Sequence, residues 1–214
     1  MSDSGNGKSQ SATAATFPPG VDWSFIAARE GAKLNGYVPL DGNGNPDANS
    51  GVTIAVGFDL GGRNVSNLRS LGFDQSLIAL LTPYLGLRGP AARNFLNASP
   101  LTITAAQQDE IDAQAFNSYY NAVATGYNAA SGGIRFQSLA QGAQTAIVSV
   151  AYQYGKNVAK ATPNFWKQIV GCEWQAAYNN LMNFGDAYPS RRRLEAAELL
   201  TAINSGTLPS PPLS

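Results

Sequence analysis

One segment of the chain differs from the rest and limits what the whole can fold into. Residues 34–62 are rich in Gly, Asn and Asp, and they also hold short runs of Val, Ile and Thr. These residue types favour tight turns and strands. Apolar residues recur at helical spacing both before and after the segment. The sequence therefore predicts an α+β fold that is mainly α, with a small antiparallel β-hairpin or sheet inserted after the first helix.

Two strands are expected in this segment, near Gly36–Leu40 and Val52–Phe58, with a turn over residues 41–47 between them. Asp59 ends the second strand, so strand alternation places it on the same face as Thr53. Only Ala and Gly stand between these two residues on that face, which leaves open space for a ligand above it.

The remainder of the chain is predicted to be helical. Asp22 caps a first helix that carries Glu30 near its C-terminal end. Later helices are marked by a capping box that opens at Thr104, by other capping residues and by prolines at first helical positions. Their expected starts lie near Asn64, Asp74, Gly89, Thr104, Ser138, Pro163, Glu173 and Ser190.

These elements fit a single domain of two lobes over residues 19–204. Residues 19–63 hold the first helix and the small β lobe, and residues 64–204 form the helical lobe. Residues 1–18 and 205–214 carry little that could be buried, so both are expected to be flexible tails.

The composition excludes several kinds of chemistry. The chain contains no histidine, which rules out Ser-His-Asp and Cys-His nucleophile systems and removes the commonest ligand of catalytic zinc. Acid–base chemistry must then come from Asp, Glu, Tyr, Lys or Cys. Because Cys172 is the only cysteine, no disulfide can form within the chain.

The charge balance argues against a nucleic-acid partner. Fourteen basic and 14 acidic residues give a formal net charge of +0, so the basic excess that drives phosphate binding is missing. The only basic run, Arg191–Arg193, is either a solvated first turn of a helix or a site for an anionic ligand. No stretch is apolar and long enough to insert into a membrane.

Three residues together indicate a glycoside hydrolase. Glu30 at a helix end is followed along the chain by Thr53 and Asp59 on a glycine-flanked strand. Glycoside hydrolases use one carboxyl group to protonate the leaving oxygen and a second to activate water or to attack carbon. From the residues alone, a surface ion pair with Arg29 or Lys33 is the simpler interpretation of Glu30, and a plain turn role for Asp59 is equally open.

The turn between the strands permits a second interpretation. Asp41, Asn43 and Asn45 place side-chain oxygens at the first, third and fifth positions of a calcium-binding loop. Pro46 stands where such a loop needs glycine, and Val52 where it needs glutamate. A plain turn is therefore favoured, and we expect neither a metal ion nor a cofactor.

The same residues carry a resemblance to a known family. The helix ending in Ala28-Arg29-Glu30-Gly31 and the later Thr53-Ile54-Ala55-Val56-Gly57 resemble the catalytic helix and hairpin of T-even phage lysozymes. The match is closer to the pesticin branch, in which the second carboxylate stands in a Gly-x-Asp-Leu-Gly motif, here Gly57–Gly61. The resemblance extends more weakly to residues 144–155 and 184–196.

This resemblance implies a two-lobed lysozyme-like fold and a muramidase that cuts between N-acetylmuramic acid and N-acetylglucosamine in peptidoglycan. Glu30 would be the general acid, Asp59 would activate water and Thr53 would hold that water. Inversion is expected, with carboxyl groups about 6.5–9.5 Å apart. The phage enzymes place their second carboxylate in the hairpin turn, so Asp41 is the alternative base. Other expected substrate-binding residues are Tyr152, Gln153 and Asn157.

Two other functions remain open at this point. A lytic transglycosylase needs one catalytic Glu and would leave Asp59 idle, and a wall-binding or toxin module would keep the fold without turnover. The expected partners are peptidoglycan glycan strands and an immunity or inhibitor protein, and the chain is expected to be a monomer.

A protein with this activity would be bacteriolytic, and it would be either a phage endolysin or an antibacterial toxin. Residues 1–15 lack a charged segment followed by an apolar one, so no Sec signal is expected. We therefore expect synthesis in the cytoplasm and action in the periplasm or on the cell wall, after lysis or dedicated export.

Overall fold

The computed structural model describes residues 16–31 and 33–210. It is mainly helical and has a small three-stranded antiparallel sheet, as predicted. The strands are β1 Lys33–Tyr37, β2 Thr53–Ala55 and β3 Phe58–Asp59. The helices are α1 Trp23–Glu30, α2 Val65–Ser70, α3 Gln75–Leu81, α4 Gly89–Ala98, α5 Ala105–Ala130, α6 Gln141–Tyr154, α7 Val158–Ala161, α8 Pro163–Val170, α9 Trp174–Met182 and α10 Pro189–Asn204.

The chain divides into two compact units. The first, here called the β unit, comprises residues 34–54 and 58–111, and the second, the helical unit, comprises the described residues of 17–33, 55–57 and 112–210. This division differs from the predicted boundary after residue 63. Helix α1 belongs with the C-terminal helices because its buried Trp23 and Ile26 join their core, whereas α2–α4 belong with the sheet.

The β unit is built on the strand order β1-β2-β3, with β2 in the centre. The prediction of a single strand over Val52–Phe58 is wrong, because the chain reverses between β2 and β3. Ala55 and Gly57 have positive φ angles of 54° and 87°, which form this reversal. The two strands pair antiparallel with Thr53 opposite Asp59. Directly opposed residues point to the same face, so the predicted shared face is correct although the predicted strand is not.

The first strand also lies earlier than predicted, at Lys33–Tyr37 instead of near Gly36–Leu40. Beyond it, Leu40 and Pro46 form an isolated antiparallel bridge that closes the predicted turn. A Cβ atom at Gly36 would lie 3.1 Å from Leu101 and 3.2 Å from Val52, so a glycine lets the first strand approach its neighbours closely. Position 36 thus has a packing role.

The core of the helical unit surrounds α6, whose residues Ala143–Ala151 are all buried. Helices α1 and α10 both pack on α6. The backbone N–H of Asp22 donates to Thr145 Oγ1 at 2.9 Å, and Trp23 stacks on Phe116 with ring centroids 4.7 Å apart. These contacts attach α1, and with it Glu30, to the middle of the unit.

Two helix starts differ from the prediction. The helix expected from Ser138 begins at Gln141, because Phe136–Ser138 form a 3-10 turn. The last helix begins at Pro189 with Tyr188 in the capping position, so Ser190 lies inside its first turn. The predicted capping residues Asp22, Asn64 and Asp74 and the Thr104 capping box are confirmed.

Parts of the two predicted tails are held to the domain. The Pro18 carbonyl oxygen accepts a hydrogen bond from Trp23 Nε1 at 2.7 Å, and the Pro209 carbonyl oxygen accepts one from Trp174 Nε1 at 2.7 Å. Leu208 packs against the core. Residues 1–15 and 211–214, the remainder of the predicted tails, lie outside the described residues.

Within residues 16–31 and 33–210, none of the helices combines the length and the apolar character that crossing a membrane requires.

The close packing of α6 on α10 gives a first prediction. A Cβ atom at Gly142 would overlap the carbonyl oxygen of Glu198. Gly142→Ala should therefore lower the free energy of unfolding by about 1–3 kcal/mol, the usual range for overpacking a core. Urea unfolding followed by circular dichroism measures this change.

Gly126 in α5 supplies the matched control. The nearest atom to a Cβ there is an edge carbon of Trp166 at 3.4 Å, an ordinary contact. Gly126→Ala should be neutral or stabilising, because alanine favours a helix over glycine by roughly 1 kcal/mol. Equal effects of the two substitutions would contradict the close approach of α6 and α10.

Candidate active site

Glu30 is the last residue of α1 and stands at the edge of an open cleft. Gly31 then adopts φ 63° and ψ 49°, a left-handed conformation that ends the helix and turns the chain away. The Glu30 side chain is 20% exposed, so the carboxyl group is sheltered but reachable. The cleft has a volume of about 640 Å³ and is lined by Arg29, Glu30, Tyr152, Gln153, Ala187, Tyr188, Pro189, Ser190, Arg191 and Leu194.

The charge partner of Glu30 is Arg191, whose Nη1 atom lies 2.7 Å from Glu30 Oε1. The contact is an ion pair without hydrogen-bond alignment, since the buried Oε1 atom accepts no aligned hydrogen bond from the described residues. Arg29, one of the partners considered from sequence, instead places its guanidinium 3.3 Å from the ring centroid of Phe25 and donates to the Phe25 carbonyl oxygen.

The other nitrogens of Arg191 are also occupied. Nε donates to Glu195 Oε1 at 3.1 Å, and Nη2 donates to the carbonyl oxygen of Ser149 at 3.1 Å and to its hydroxyl at 3.3 Å. A guanidinium is planar and rigid. Three acceptor atoms, one from Glu195 and two from Ser149, therefore fix the position of the atom that faces Glu30.

Arg192 extends this network into the core. It is 1% exposed and donates from Nη1 to Glu195 and from Nε to Asp186 Oδ2, the latter at 3.0 Å. Tyr154 donates its hydroxyl to the same Asp186 oxygen at 2.5 Å. The solvated-turn interpretation of the basic run is therefore wrong for Arg191 and Arg192, and only Arg193 is exposed.

Tyr152 of α6 and Tyr119 of α5 both feel the charge of the Glu30 carboxylate. Burial raises the pKa of Tyr152, and the neighbouring Glu30 charge raises it further. Burial and then Glu30 act in the same direction on the pKa of Tyr119. Tyr152 and Tyr119 are in ring contact, with centroids 4.4 Å apart. Both hydroxyls therefore keep their protons at neutral pH and can serve as hydrogen-bond donors.

Gln153 is the second predicted substrate-binding residue that lines this cleft. Its Oε1 atom is buried and accepts no hydrogen bond from residues 16–31 and 33–210. Buried polar atoms are rarely left without a partner. Asn157, the third predicted substrate-binding residue, does not line this cleft. Its side chain caps α7 by accepting from the Lys160 N–H at 3.1 Å.

Thr53 and Asp59 form a local arrangement around Gly51 in the β unit. Asp59 Oδ1 accepts hydrogen bonds from the N–H groups of Gly51 at 3.0 Å and Gly61 at 2.7 Å. Thr53, only 4% exposed, donates its hydroxyl to the Gly51 carbonyl oxygen at 3.3 Å. Both glycines are required, because a Cβ atom on either would overlap the backbone of the other. Next to them, burial raises the pKa of Tyr37, with a further contribution from Asp59.

Asp41, the alternative base, is the first residue of the tight turn over 41–47. Its Oδ1 atom accepts from the N–H groups of Asn43 and Asn45, each at 2.9 Å. The carboxylate thus stabilises the turn directly. The Asp41, Asn43 and Asn45 spacing, which resembles a calcium-binding loop, forms the hydrogen bonds of this turn.

Sequence reasoning missed three members of the site: Arg191 as the partner of Glu30, the buried Glu195, and Tyr119. The signal for the first two was present in α10, where Glu195 follows Arg191 by one helical turn. Ala196 and Leu199, which follow Glu195 in the same helix, are buried. A carboxylate between buried residues needs partners of opposite charge.

The position of Asp22 gives a prediction for α1. Its pKa is lowered chiefly by the hydrogen bond from the Ser24 hydroxyl and then by that from the Phe25 N–H. Its charged form therefore contributes stability above the unfolded pKa of about 3.9, and that contribution is lost as the pH falls through the lower folded pKa. Asp22→Ala should cost about 1 kcal/mol at neutral pH.

Asp22→Asn is the control for this prediction, because asparagine caps helices without a charge. Thermal unfolding of both variants between pH 2 and pH 7 checks the prediction. The loss on Asp22→Ala should shrink in acid, whereas a loss that stays constant with pH would contradict the role of the charge.

Comparison with known families connects these observations. A family model described as "Pesticin: Bacterial toxin homologue of phage lysozyme, C-term" matches residues 20–175. The matched span contains Glu30, Thr53, Asp59 and Tyr152 but ends before Arg191. No curated protein matches the chain.

Proposed function

We propose, since the chain belongs to the pesticin family of bacterial toxin homologues of phage lysozyme, that it hydrolyses the bond between N-acetylmuramic acid and N-acetylglucosamine in peptidoglycan. The observation that carries this proposal is the Glu30 carboxyl group. It stands in an open cleft at the end of a firmly attached helix, 2.7 Å from a guanidinium. A glycoside hydrolase needs such a fixed and accessible carboxyl group.

In this mechanism Glu30 is the general acid. It transfers a proton to the oxygen that links the two sugars, while the bond from that oxygen to the anomeric carbon breaks. The carboxylate that remains on Glu30 is the species that pairs with Arg191. The ion pair therefore stabilises the product of the proton transfer, and a later proton from water regenerates the acid.

Asp59 is proposed as the general base. It removes a proton from a water molecule as that water attacks the anomeric carbon, with Thr53 holding the water, so the configuration of this carbon inverts. Asp59 then releases this proton to the solvent, which balances the proton that Glu30 regains. The two backbone N–H groups bound to Oδ1 fix the carboxylate orientation. Precise placement of a reacting group contributes strongly to catalysis.

The cleft around Glu30 suits a carbohydrate. Tyr188 and Leu194 are 55% and 47% exposed and give it an apolar side. Gln153 and Tyr152 add a side-chain amide and a hydroxyl to the lining of the cleft. A pyranose ring has apolar C–H faces and a polar rim, so both sides of the cleft have a counterpart on the sugar. Arg29, which also lines the cleft, carries a positive charge that favours the anionic groups of the wall.

A lytic transglycosylase is the second candidate. The hydrogen bonds to Asp59 Oδ1 are enough to account for an aspartate at this position, because they stabilise the turn. Asp59 would then need no catalytic role. In that reaction the muramic acid's own hydroxyl replaces water and a 1,6-anhydro end forms.

The setting proposed for the activity follows from the family. A wall-cleaving toxin acts in the periplasm or on the cell wall of a target bacterium, and the producing cell is protected by an inhibitor protein that covers the cleft. The chain is proposed to act as a monomer and without a cofactor.

Digestion of purified peptidoglycan tests the general acid. The wild-type protein should release fragments with reducing muramic acid ends, identified by mass spectrometry. Glu30→Gln, which retains the shape of the side chain but cannot donate the proton, should lower the rate by at least about 100-fold. Unchanged release by Glu30→Gln, or no release by the wild type, would overturn the proposed function.

A matched pair of substitutions identifies the base. Asp59→Asn and Asp41→Asn each keep an oxygen that can accept the existing backbone hydrogen bonds and remove only the charge. If Asp59 is the base, its substitution should abolish hydrolysis and that of Asp41 should not. The reverse result assigns Asp41, and anhydro ends from an active Asp59→Asn variant establish the transglycosylase.

A further inference from the structure

Glu195 is a fully buried carboxylate whose role the proposed mechanism does not explain. It is 0% exposed. Oε1 accepts hydrogen bonds from the Ser149 hydroxyl at 2.5 Å and from Arg191 Nε at 3.1 Å, and Oε2 accepts one from Arg192 Nη1. Both carboxylate oxygens are thus committed to groups within the helical unit.

Burying this carboxylate has a high free-energy cost if its role is only to stabilise the packing of α6 on α10. Removing charges from water costs several kcal/mol per ion, and well-packed apolar residues of similar volume often stabilise a core as well or better. An uncharged packing contact between α6 and α10 is already made at Gly142 and Ala202. Stability alone therefore gives no reason to place a carboxylate at position 195.

The contacts of the Arg191 guanidinium explain why a carboxylate stands at position 195. Arg191 Nη1 lies 2.7 Å from Glu30 Oε1, and both residues line the cleft. The opposite side of the group, Nε and Nη2, is bound by Glu195 and Ser149. Without those partners the long side chain would be free to rotate toward solvent, since arginine has substantial rotamer entropy.

We infer that Glu195 is a positioning residue for the reaction, which acts by holding Arg191 against Glu30 from inside the core. Glu195 is not on the described lining of the cleft and so does not touch substrate. The inference rests on the proposed role of Glu30. It adds that the orientation of the acid depends on a residue one helical turn beyond the arginine and wholly shielded from solvent.

A positioning role for Glu195 predicts a specific change in the kinetic constants. Because Glu195 lies away from the cleft lining, removing its charge should leave KM within about twofold while kcat falls. Misplacement of a catalytic group by about 1 Å costs on the order of 100-fold, so we expect a decrease in kcat of roughly 10- to 100-fold. Glu195→Gln keeps the volume and a single acceptor, and Glu198→Gln removes a charge from the same helix as the control.

A double-mutant cycle tests whether Glu195 acts through Arg191. The four proteins are the wild type, Glu195→Gln, Arg191→Met and the double variant, each assayed on peptidoglycan well below its unfolding temperature. If Glu195 acts by holding Arg191, its substitution should have no further effect on kcat once Arg191 is absent. An equal fold-loss in both backgrounds, or unchanged kcat in Glu195→Gln, overturns the inference.

Ser149→Ala keeps the inference testable if Glu195→Gln does not fold. This variant removes one hydroxyl that binds both Glu195 and Arg191. It should lower kcat by a smaller factor, with KM unchanged, and the decrease should also disappear in the Arg191→Met background. Failure of the proposed function has a different signature, because the wild-type protein would then release no fragments at all.

Discussion

The ion pair between Glu30 and Arg191 joins the start of the described chain to its last helix, and the proposed chemistry depends on it. Arg191 is held in place for this ion pair by buried groups of the helical unit. Glu195 forms ion pairs with both Arg191 and Arg192, and Arg192 also pairs with Asp186. A guanidinium with partners on every side has one orientation available. The carboxyl group proposed as the acid is thus positioned by contacts that lie almost wholly below the surface.

The helices that carry this network are held together by uncharged packing. Helix α6 is buried along most of its length and receives both α1 and α10. Asp22 fixes the start of α1, and Gly31 ends it directly after Glu30. The length of α1 therefore sets where the carboxyl group emerges. In the β unit the N–H groups of Gly51 and Gly61 bind the Asp59 carboxylate and so fix its position.

The sequence predicts the parts of this protein that local rules decide. Capping by Asp22 and by Thr104 depends on neighbours a few residues away, and both were predictable. The reversal at Ala55 was not, because a positive φ at a non-glycine residue has no local sequence signal. The pairing of Glu30 with Arg191 joins residues far apart in the chain, so spacing could not predict it. The residue pattern and the family resemblance together supplied Glu30 and Asp59 as candidates, while the matched region stops before Arg191 and Glu195.

The most direct test of the central claim is the configuration of the sugar end that the protein first releases. Proton NMR of a soluble peptidoglycan fragment, recorded in the first minutes of digestion, distinguishes the two anomers before they interconvert. Direct attack by a water molecule that Asp59 activates predicts that the new reducing end appears with inverted configuration. A first product of retained configuration, or an anhydro end without a reducing anomer, would contradict the account.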